Sequence, residues 1–347
     1  MGEDPASDVN DREIKSGAKI GSLGNRDGKV QDMLRQLGDS DLMVTPVAMG
    51  CWPIAGMTSL DVNIEDSLKT LATALDEGIN FFDTAYCYGA DGISERLLGQ
   101  AVAHCRDEVV IATKCGVHWD KNLNSVLDSS PDRILAECDE SLVRLDMNHI
   151  DLMYLHRPDP NTPITESAAA LGSLKKQGKV RYVAVSNVTF EQMIEFNNVC
   201  SVVAVQLPFN LFQQQIKDVF GPWCQQNKVS IVSYWPLMKG LLAGKIRRGH
   251  VFDPQDKRLT YEIFQGHYFD RAQDVIDELE SLADDLGLTI AQMIVAWNFH
   301  QPFIHSTLCG AKRDWQIKET AQAISVRLSD ATIERIDQLA KQFAEST

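Results

Sequence analysis

The sequence lacks the features that define several common classes of protein. Its 347 residues carry a formal net charge of −15, so there is no basic excess to bind a nucleic-acid backbone. No apolar run approaches the roughly 20 residues of a membrane span. Eight cysteines are present, but none forms a CxxC pair or a Cys/His cluster with zinc spacing. We therefore expect no nucleic-acid or membrane partner, no bound metal, and reduced thiols in the cytoplasm.

The first thirty residues also lack an apolar segment. They mix both charge signs with Gly and Ser, and include the acids Glu3, Asp4 and Asp8. This composition is typical of neither a secretory signal nor an organelle transit peptide. We predict a flexible extension over 1–30 and a single domain over 31–347, since 44% hydrophobic residues suffice for a sizeable core.

Strand-like and helix-like segments alternate along this domain. Short apolar runs on either side of residues 38–41 predict an initial β-hairpin. Eight strand-like runs follow, at 47–50, 80–84, 109–113, 150–156, 180–186, 202–206, 229–234 and 303–308. Helical patterns lie between them, at 64–77, 93–105, 131–144, 165–177, 189–198, 215–226 and 272–300. Eight such units predict an α/β fold, a closed (β/α)8 or TIM barrel, and the absence of G-x-G-x-x-G after the first strand argues against a Rossmann domain.

Two segments interrupt the alternation. Residues 236–271 form a long insertion after the seventh strand, and a loop of that length predicts a lid or clamp over a ligand. After the eighth strand, a helix near 314–324 precedes an extra C-terminal helix near 330–344, with Ser329 as its N-cap. We expect this last helix to pack on the outside of the barrel.

Four residues suited to proton transfer fall at one end of the predicted barrel. Asp83, Lys114 and His156 end the second, third and fourth strands, and Tyr88 follows in the loop after Asp83. Active sites of parallel barrels lie at this end, and neighbouring strands are about 4.8 Å apart. We expect Lys114 to lower the phenol pKa of Tyr88, Asp83 to hold Lys114, and a neutral His156 to orient a substrate oxygen. This set suits protonation of a carbonyl oxygen while a hydride reaches the carbon.

The chain resembles an aldo-keto reductase over about residues 33–345. The resemblance implies a TIM barrel that binds NADPH without a Rossmann domain and reduces aldehydes or ketones. Asp83, Tyr88, Lys114 and His156 match the catalytic tetrad of that family, with Tyr88 as the general acid. Substrate contacts are implied for Trp52, Tyr88, His118, Trp119 and His156.

The same resemblance implies a cofactor site across the barrel mouth. The nicotinamide end is assigned to Cys51, Trp52, Asp83, Ser186, Asn187, Gln206 and Tyr234, the last by stacking. The pyrophosphate loop is assigned to Trp235, Pro236, Leu237, Lys239, Gly240 and Lys245, with Trp235 replacing the usual serine. The adenosine end is assigned to Gly310, Lys312, Arg313, Gln316 and Thr320, where asparagine is usual at the last position. The paired cations Lys312 and Arg313 in an acidic protein favour NADPH over NADH.

Two other functions remain open at this point. Some barrels of this family serve as redox-sensing regulatory subunits of membrane channels and turn over slowly. A metal-dependent hydrolase could use Asp83, His118 and His156, although these lack H-x-H or H-E-x-x-H spacing. The carbonyl substrate, the physiological direction of the reaction and the choice between monomer and homo-oligomer are not determined by the sequence.

Overall fold

The computed structural model describes residues 33–56, 61–254 and 256–345, so the predicted extension over 1–30 lies outside the described residues. The strands are β1 (Arg35–Gln36), β2 (Met43–Val44), β3 (Val47–Gly50), β4 (Phe81–Asp83), β5 (Val110–Cys115), β6 (Val117–Trp119), β7 (Ser125–Leu127), β8 (Ile150–Leu155), β9 (Val180–Ser186), β10 (Ala204–Pro208), β11 (Ser230–Tyr234) and β12 (Ile304–Gly310). The helices are α1 (Ile64–Asp76), α2 (Ile93–Val102), α3 (Pro131–Leu145), α4 (Ile164–Lys176), α5 (Phe190–Val199), α6 (Ile216–Val219), α7 (Gly221–Gln226), α8 (Gly266–Leu286), α9 (Ile290–His300), α10 (Asp314–Ala321) and α11 (Asp330–Glu345).

Eight parallel strands close into one barrel, which confirms the predicted (β/α)8 fold. Their order around the barrel is β3, β4, β5, β8, β9, β10, β11 and β12, and β12 pairs with β3. Apolar side chains fill two layers, one inside the barrel and one between strands and helices. Because both faces of each strand are covered, the strands are nearly continuous apolar runs, which is why their positions could be predicted within about two residues.

The predicted N-terminal hairpin is formed by β1 and β2 and closes the bottom of the barrel. Its Leu37, Leu42 and Val44 are buried against the interior cluster, which includes Phe81. Gly38 makes the close approach possible, because a Cβ there would lie 2.2 Å from a main-chain oxygen of the barrel wall. The opposite end of the barrel is left for the site.

Two predicted helices are each divided in the structure. The pattern over 272–300 forms α8 and α9, because Gly287 adopts a left-handed conformation (φ 66°) that ends α8 and Thr289 begins α9 with a capping box. The pattern over 215–226 forms the short helices α6 and α7.

The predicted extra helix is α11, and the Ser329 hydroxyl accepts a hydrogen bond from Thr332 N at 3.2 Å, as expected of its N-cap.

Residues between β11 and α8 contain three short 3-10 helices, at Met238–Ala243, Lys257–Thr260 and Glu262–Phe264. The irregular part of the predicted insertion therefore ends near residue 265, where α8 begins. An antiparallel pair, β6 and β7, was not predicted and follows β5 directly. Within the part of the chain that the structure describes, no helix has the length and apolar character needed to cross a membrane.

Candidate active site

Three of the four predicted proton-transfer residues lie at the carboxyl ends of neighbouring strands. Asp83 is the last residue of β4, Lys114 lies near the end of β5, and His156 directly follows β8. The parallel register places Asp83 opposite Ala112, and Lys114 opposite Tyr154. The barrel thus brings three residues that are far apart in sequence to one mouth.

Tyr88 reaches the same mouth from the turn between β4 and α2. Tyr86 N donates a hydrogen bond to Lys114 O at 3.0 Å, which ties this turn to β5. The Trp119 indole donates to Cys87 O at 2.8 Å, so the β6–β7 hairpin supports the turn from the other side. Trp119, predicted to line the substrate pocket, therefore also positions Tyr88.

The Lys114 ammonium connects Asp83 to Tyr88. Its side chain is 1% exposed and that of Asp83 is 2% exposed. Lys114 Nζ donates to Asp83 Oδ1, to Thr84 O at 2.8 Å and to Tyr88 Oη at 3.3 Å. Gln206 Nε2 donates to the other Asp83 oxygen at 2.8 Å. The carboxylate thus fixes Lys114, and Lys114 in turn contacts the phenol.

Burial dominates the electrostatics of this group. It raises the pKa of Asp83, against the opposing effect of the Lys114 charge. Burial also raises the pKa of the Tyr88 phenol well above 10, and the nearby Asp83 charge acts in the same direction. The expectation that the pKa of this phenol lies below its usual value is therefore wrong for the structure. A phenol that holds its proton is suited to donate it to a strongly basic oxygen rather than to act as a base.

His156 lies beside Tyr88 as a neutral imidazole. Burial, followed by the charge of Lys114, lowers the pKa of His156 well below 6.5. Its Nδ1 contacts Cys87 Sγ at 3.5 Å, and burial raises the pKa of that thiol to about 12. The Tyr88 ring centre lies 5.9 Å from that of His156 and 4.9 Å from that of Trp52. A proton donor and a neutral imidazole therefore lie side by side, with Trp52 as a wall.

His118 lies near a carboxylate on α3. Its Nδ1 lies 3.6 Å from Glu137 Oε1 on α3, and no contact between described residues joins His118 to Tyr88 or His156. Glu137 was not predicted; it is fully buried, accepts a hydrogen bond from Gly116 N at 2.6 Å, and has its pKa raised to about 7 by burial. Among the described residues, no three His, Cys, Asp or Glu side chains are arranged to hold a metal ion.

The residues assigned to the nicotinamide end form a hydrogen-bonded group at the ends of β9, β10 and β11. Asn187 Nδ2 donates to His156 O at 2.9 Å and to Ser186 Oγ at 3.0 Å. The Tyr234 hydroxyl donates to Asn187 Oδ1 at 2.8 Å, and Ser186 Oγ donates to Gln206 O at 3.0 Å. Asn187 adopts a left-handed backbone conformation (φ 55°), which is tolerated best by Asn among residues with a side chain. These contacts fix the polar side chains before any ligand arrives.

The predicted pyrophosphate loop has an unusual backbone and an enclosed lysine. Trp235, Lys239 and Gly240 all have positive φ, at 58°, 54° and 94°. Lys239 Nζ lies 3.6 Å from the ring centre of Trp235 and 4.5 Å from that of Tyr261. Trp235, which replaces the usual serine, therefore holds a cation in place. Burial, with the charge of Arg258, lowers the pKa of Lys239 to about 8.

Tyr261 and Arg258 come from the insertion that was predicted to act as a lid or clamp. Arg258 is fixed by Asp256, with Nε 3.0 Å from both carboxylate oxygens and Nη2 2.6 Å from one of them. Within the predicted pyrophosphate loop, Leu237 O accepts main-chain hydrogen bonds from Gly240 N at 2.9 Å and from Leu242 N at 3.1 Å. The insertion thus packs against the loop through Lys239. Tyr261 and Arg258 were missed in the sequence, where an aromatic residue in a long insertion was the only signal.

At the predicted adenosine end, several side chains are already engaged. Gln316 Oε1 accepts from Lys312 N at 2.9 Å and Arg313 N at 3.2 Å, which caps the start of α10. The Thr320 hydroxyl is buried and donates to Gln316 O at 3.2 Å, so it does not face the mouth. Cys51, which was assigned to the nicotinamide end, is also fully buried.

Carboxylates just before α1 and in its first turn form ion pairs with the predicted cation pair. Lys312 Nζ lies 2.9 and 3.1 Å from the two Asp61 oxygens, and Arg313 Nη2 lies 3.2 Å from Asp61 Oδ2. Arg313 Nη1 lies 3.2 Å from Asp66 Oδ2. Asp61 and Asp66 were not predicted, because only the packing of α1 on α10 brings them to residues some 250 positions away.

The sequence profile of the Aldo/keto reductase family matches residues 46–341. The chain is 31% identical over 310 residues to the NADH-specific methylglyoxal reductase of Escherichia coli (strain K12), covering 85% of this chain and 94% of that protein. It is 30% identical over 321 residues to a probable voltage-gated potassium channel subunit beta of Arabidopsis thaliana, covering 88% and 95%. The solved structure of a glycerol dehydrogenase from Gluconobacter oxydans superposes with a TM-score of 0.83 at 33% identity, covering 90% of this chain and 96% of that one. Since the profile spans most of the barrel and the relatives match it nearly end to end, the chain belongs to the aldo/keto reductase family.

Proposed function

We propose that this chain is an NADPH-dependent reductase that converts an aldehyde or ketone to the alcohol. One observation carries the proposal: the buried ion pair of Asp83 and Lys114, hydrogen-bonded to the partly buried Tyr88 beside the neutral imidazole of His156. A proton donor, a cation behind it and an uncharged hydrogen-bonding group together suit the addition of a proton to a carbonyl oxygen.

The residues at the mouth suit a nicotinamide dinucleotide. The side-chain oxygens of Asn187 and Gln206 can accept hydrogen bonds from an uncharged carboxamide, while their amide nitrogens already donate within the protein. The Tyr234 ring is held by its hydrogen bond to Asn187, and Lys239 supplies a fixed cation beside the left-handed backbone of its loop. When bound, such a cofactor supplies the hydride that the carbonyl carbon accepts.

Residues of the chain orient the substrate oxygen and transfer a proton to it. His156 donates a hydrogen bond that orients the carbonyl, and Tyr88 transfers its phenolic proton to the oxygen as that atom becomes basic. The phenolate left behind lies 3.3 Å from the Lys114 ammonium, which stabilises it. Asp83 keeps this ammonium charged and in position, while Trp52 and Trp119 bound the substrate pocket.

We place the reductase in the cytoplasm. All eight cysteines are buried thiols that form no disulfide within the described residues, as is typical of a reducing compartment. A second candidate function, a slowly turning-over regulator of a membrane channel, is raised by the relative named as a channel subunit. A regulator of that kind would elute with a partner in gel filtration and turn over far below the order of 10 per second of an ordinary enzyme.

The test is a screen for carbonyl-dependent consumption of NADPH across small aldehydes, sugars, quinones and ketosteroids. The proposal expects at least one class to be reduced, with slower turnover when the transferred hydrogen of the cofactor is deuterium. A chelator should leave the rate unchanged, which separates the reductase from a metal-dependent hydrolase. Binding of NADPH without reduction of any carbonyl would contradict the proposal.

A further inference from the structure

We propose that Asp61 sets how strongly this protein discriminates between NADPH and NADH. The inference rests on the proposed function, in which Lys312 and Arg313 face the 2′-phosphate of the cofactor. The sequence favoured NADPH because of these two cations. In the structure, however, both form ion pairs with a carboxylate of the same chain, which weakens that preference.

Asp61 is the one described carboxylate that bridges both cations. It contacts Lys312 Nζ through both oxygens, and it contacts Arg313 Nη2 through Oδ2 and through its main-chain oxygen at 2.8 Å. Of the two cations, Asp66 forms an ion pair with Arg313 only. The carboxylate of Asp314, at the start of α10, contacts Lys69 instead, at 2.7 Å.

A 2′-phosphate must compete with Asp61 for the same two cations. The phosphate brings a charge of about −2, so Asp61 must either leave its partners or stay and repel the ligand. Both alternatives weaken NADPH binding and neither affects NADH, which has a hydroxyl at this position. A carboxylate can also accept a hydrogen bond from a ribose 2′-hydroxyl, which favours NADH further.

The main chain does not compensate for this competition. The amides of Lys312 and Arg313, which a phosphate at this helix start would use, already donate to Gln316 Oε1. Discrimination therefore depends on the two side chains. Since Asp61 is 59% exposed, its replacement leaves the core untouched.

The experiment measures dissociation constants for NADPH and NADH, without turnover, by quenching of tryptophan fluorescence. Asp61→Asn should raise the ratio of the NADH constant to the NADPH constant about tenfold, because each of two exposed ion pairs contributes up to about a factor of five. Asp314→Asn is the matched control: it makes the same charge change beside the same helix start but frees neither Lys312 nor Arg313. Asp61→Ser should reproduce the effect, and thermal melts confirm that each variant is folded.

The outcomes separate the two proposals. If the ratio of the two dissociation constants is the same in Asp61→Asn as in Asp314→Asn, or if Asp61→Asn weakens the binding of both cofactors equally, the role of Asp61 is refuted. The proposed function would be unaffected by either result. A wild-type protein that binds neither NADPH nor NADH would overturn the proposed function, and this inference with it. Lys312→Ala should weaken the binding of NADPH but not that of NADH. Equal weakening of both would show that the 2′-phosphate does not bind at Lys312, which would refute the inference.

Discussion

Removing both partners of the Asp83–Lys114 ion pair is expected to destabilise the fold less than removing either one. The two side chains are 2% and 1% exposed, so each single change leaves an uncompensated group in the interior. Asp83→Asn removes the counter-charge of the Lys114 ammonium, whose other acceptors, Thr84 O and the Tyr88 phenol, are neutral. Lys114→Met leaves the carboxylate with the Gln206 amide alone.

The expected magnitudes follow from the burial of the pair. Breaking a buried ion pair on one side costs about 3–5 kcal/mol, whereas replacing both partners by neutral groups of similar size is often near neutral. Lys114→Met should fall at the lower end, because burial already favours the protonated form of Asp83. The double variant should therefore lie close to the wild type and recover most of the roughly 6–8 kcal/mol to which the two single losses sum.

Urea unfolding followed by circular dichroism measures these differences as shifts in the midpoint at a common slope. All three variants should lose reductase activity, because each alters or removes the cation beside the Tyr88 phenol. Recovered stability without recovered activity is the distinguishing result. If the losses of stability in the two single variants simply add in the double variant, Asp83 and Lys114 do not compensate each other's charge. That result would refute the role of Asp83 in keeping Lys114 charged in a buried site.

Two further predictions concern other titrating groups. Because Glu137 titrates near 4.5 when unfolded and about 7 when folded, the folded state holds its proton longer and stability should fall as pH rises between those values. Glu137→Gln should flatten this dependence in unfolding titrations, whereas Glu140→Gln, 48% exposed on the same helix, should leave it in place. The affinity for NADPH should fall as pH rises through about 8, where Lys239 loses its charge, and Lys239→Arg should remove that dependence in binding titrations. An NADPH affinity equally dependent on pH in Lys239→Arg would show that another group titrates.

The strands and the proposed catalytic group could be placed from the sequence because their signals are local. Apolar runs bounded by polar strand ends place Asp83, Lys114 and His156 at one mouth once the barrel is assumed. The division of 272–300 was missed because a glycine inside a periodic pattern does not show whether it adopts a left-handed conformation, as Gly287 does. These features depend on local backbone conformation or on fold class alone.

Properties set by burial and by distant packing could not be predicted. The sign of the pKa shift of Tyr88 was wrong because the depth of its pocket outweighs the nearby cation, and depth is a property of the closed barrel. Asp61 could not be assigned to Lys312 from the sequence, since 251 positions separate them. Likewise, the enclosure of Lys239 depends on how the insertion folds back to bring Tyr261 beside it.

The most direct test of the proposed mechanism is the turnover of Tyr88→Phe compared with Tyr86→Phe. Both variants remove one phenolic hydroxyl from the same turn, but the Tyr86 hydroxyl donates to Glu140 and has no contact with Lys114. We predict that Tyr88→Phe loses about 10²–10⁴-fold in turnover at unchanged affinity for NADPH, while Tyr86→Phe remains active. Near-normal turnover in Tyr88→Phe, or an equal loss in both variants, would contradict the assignment of Tyr88 as the proton donor.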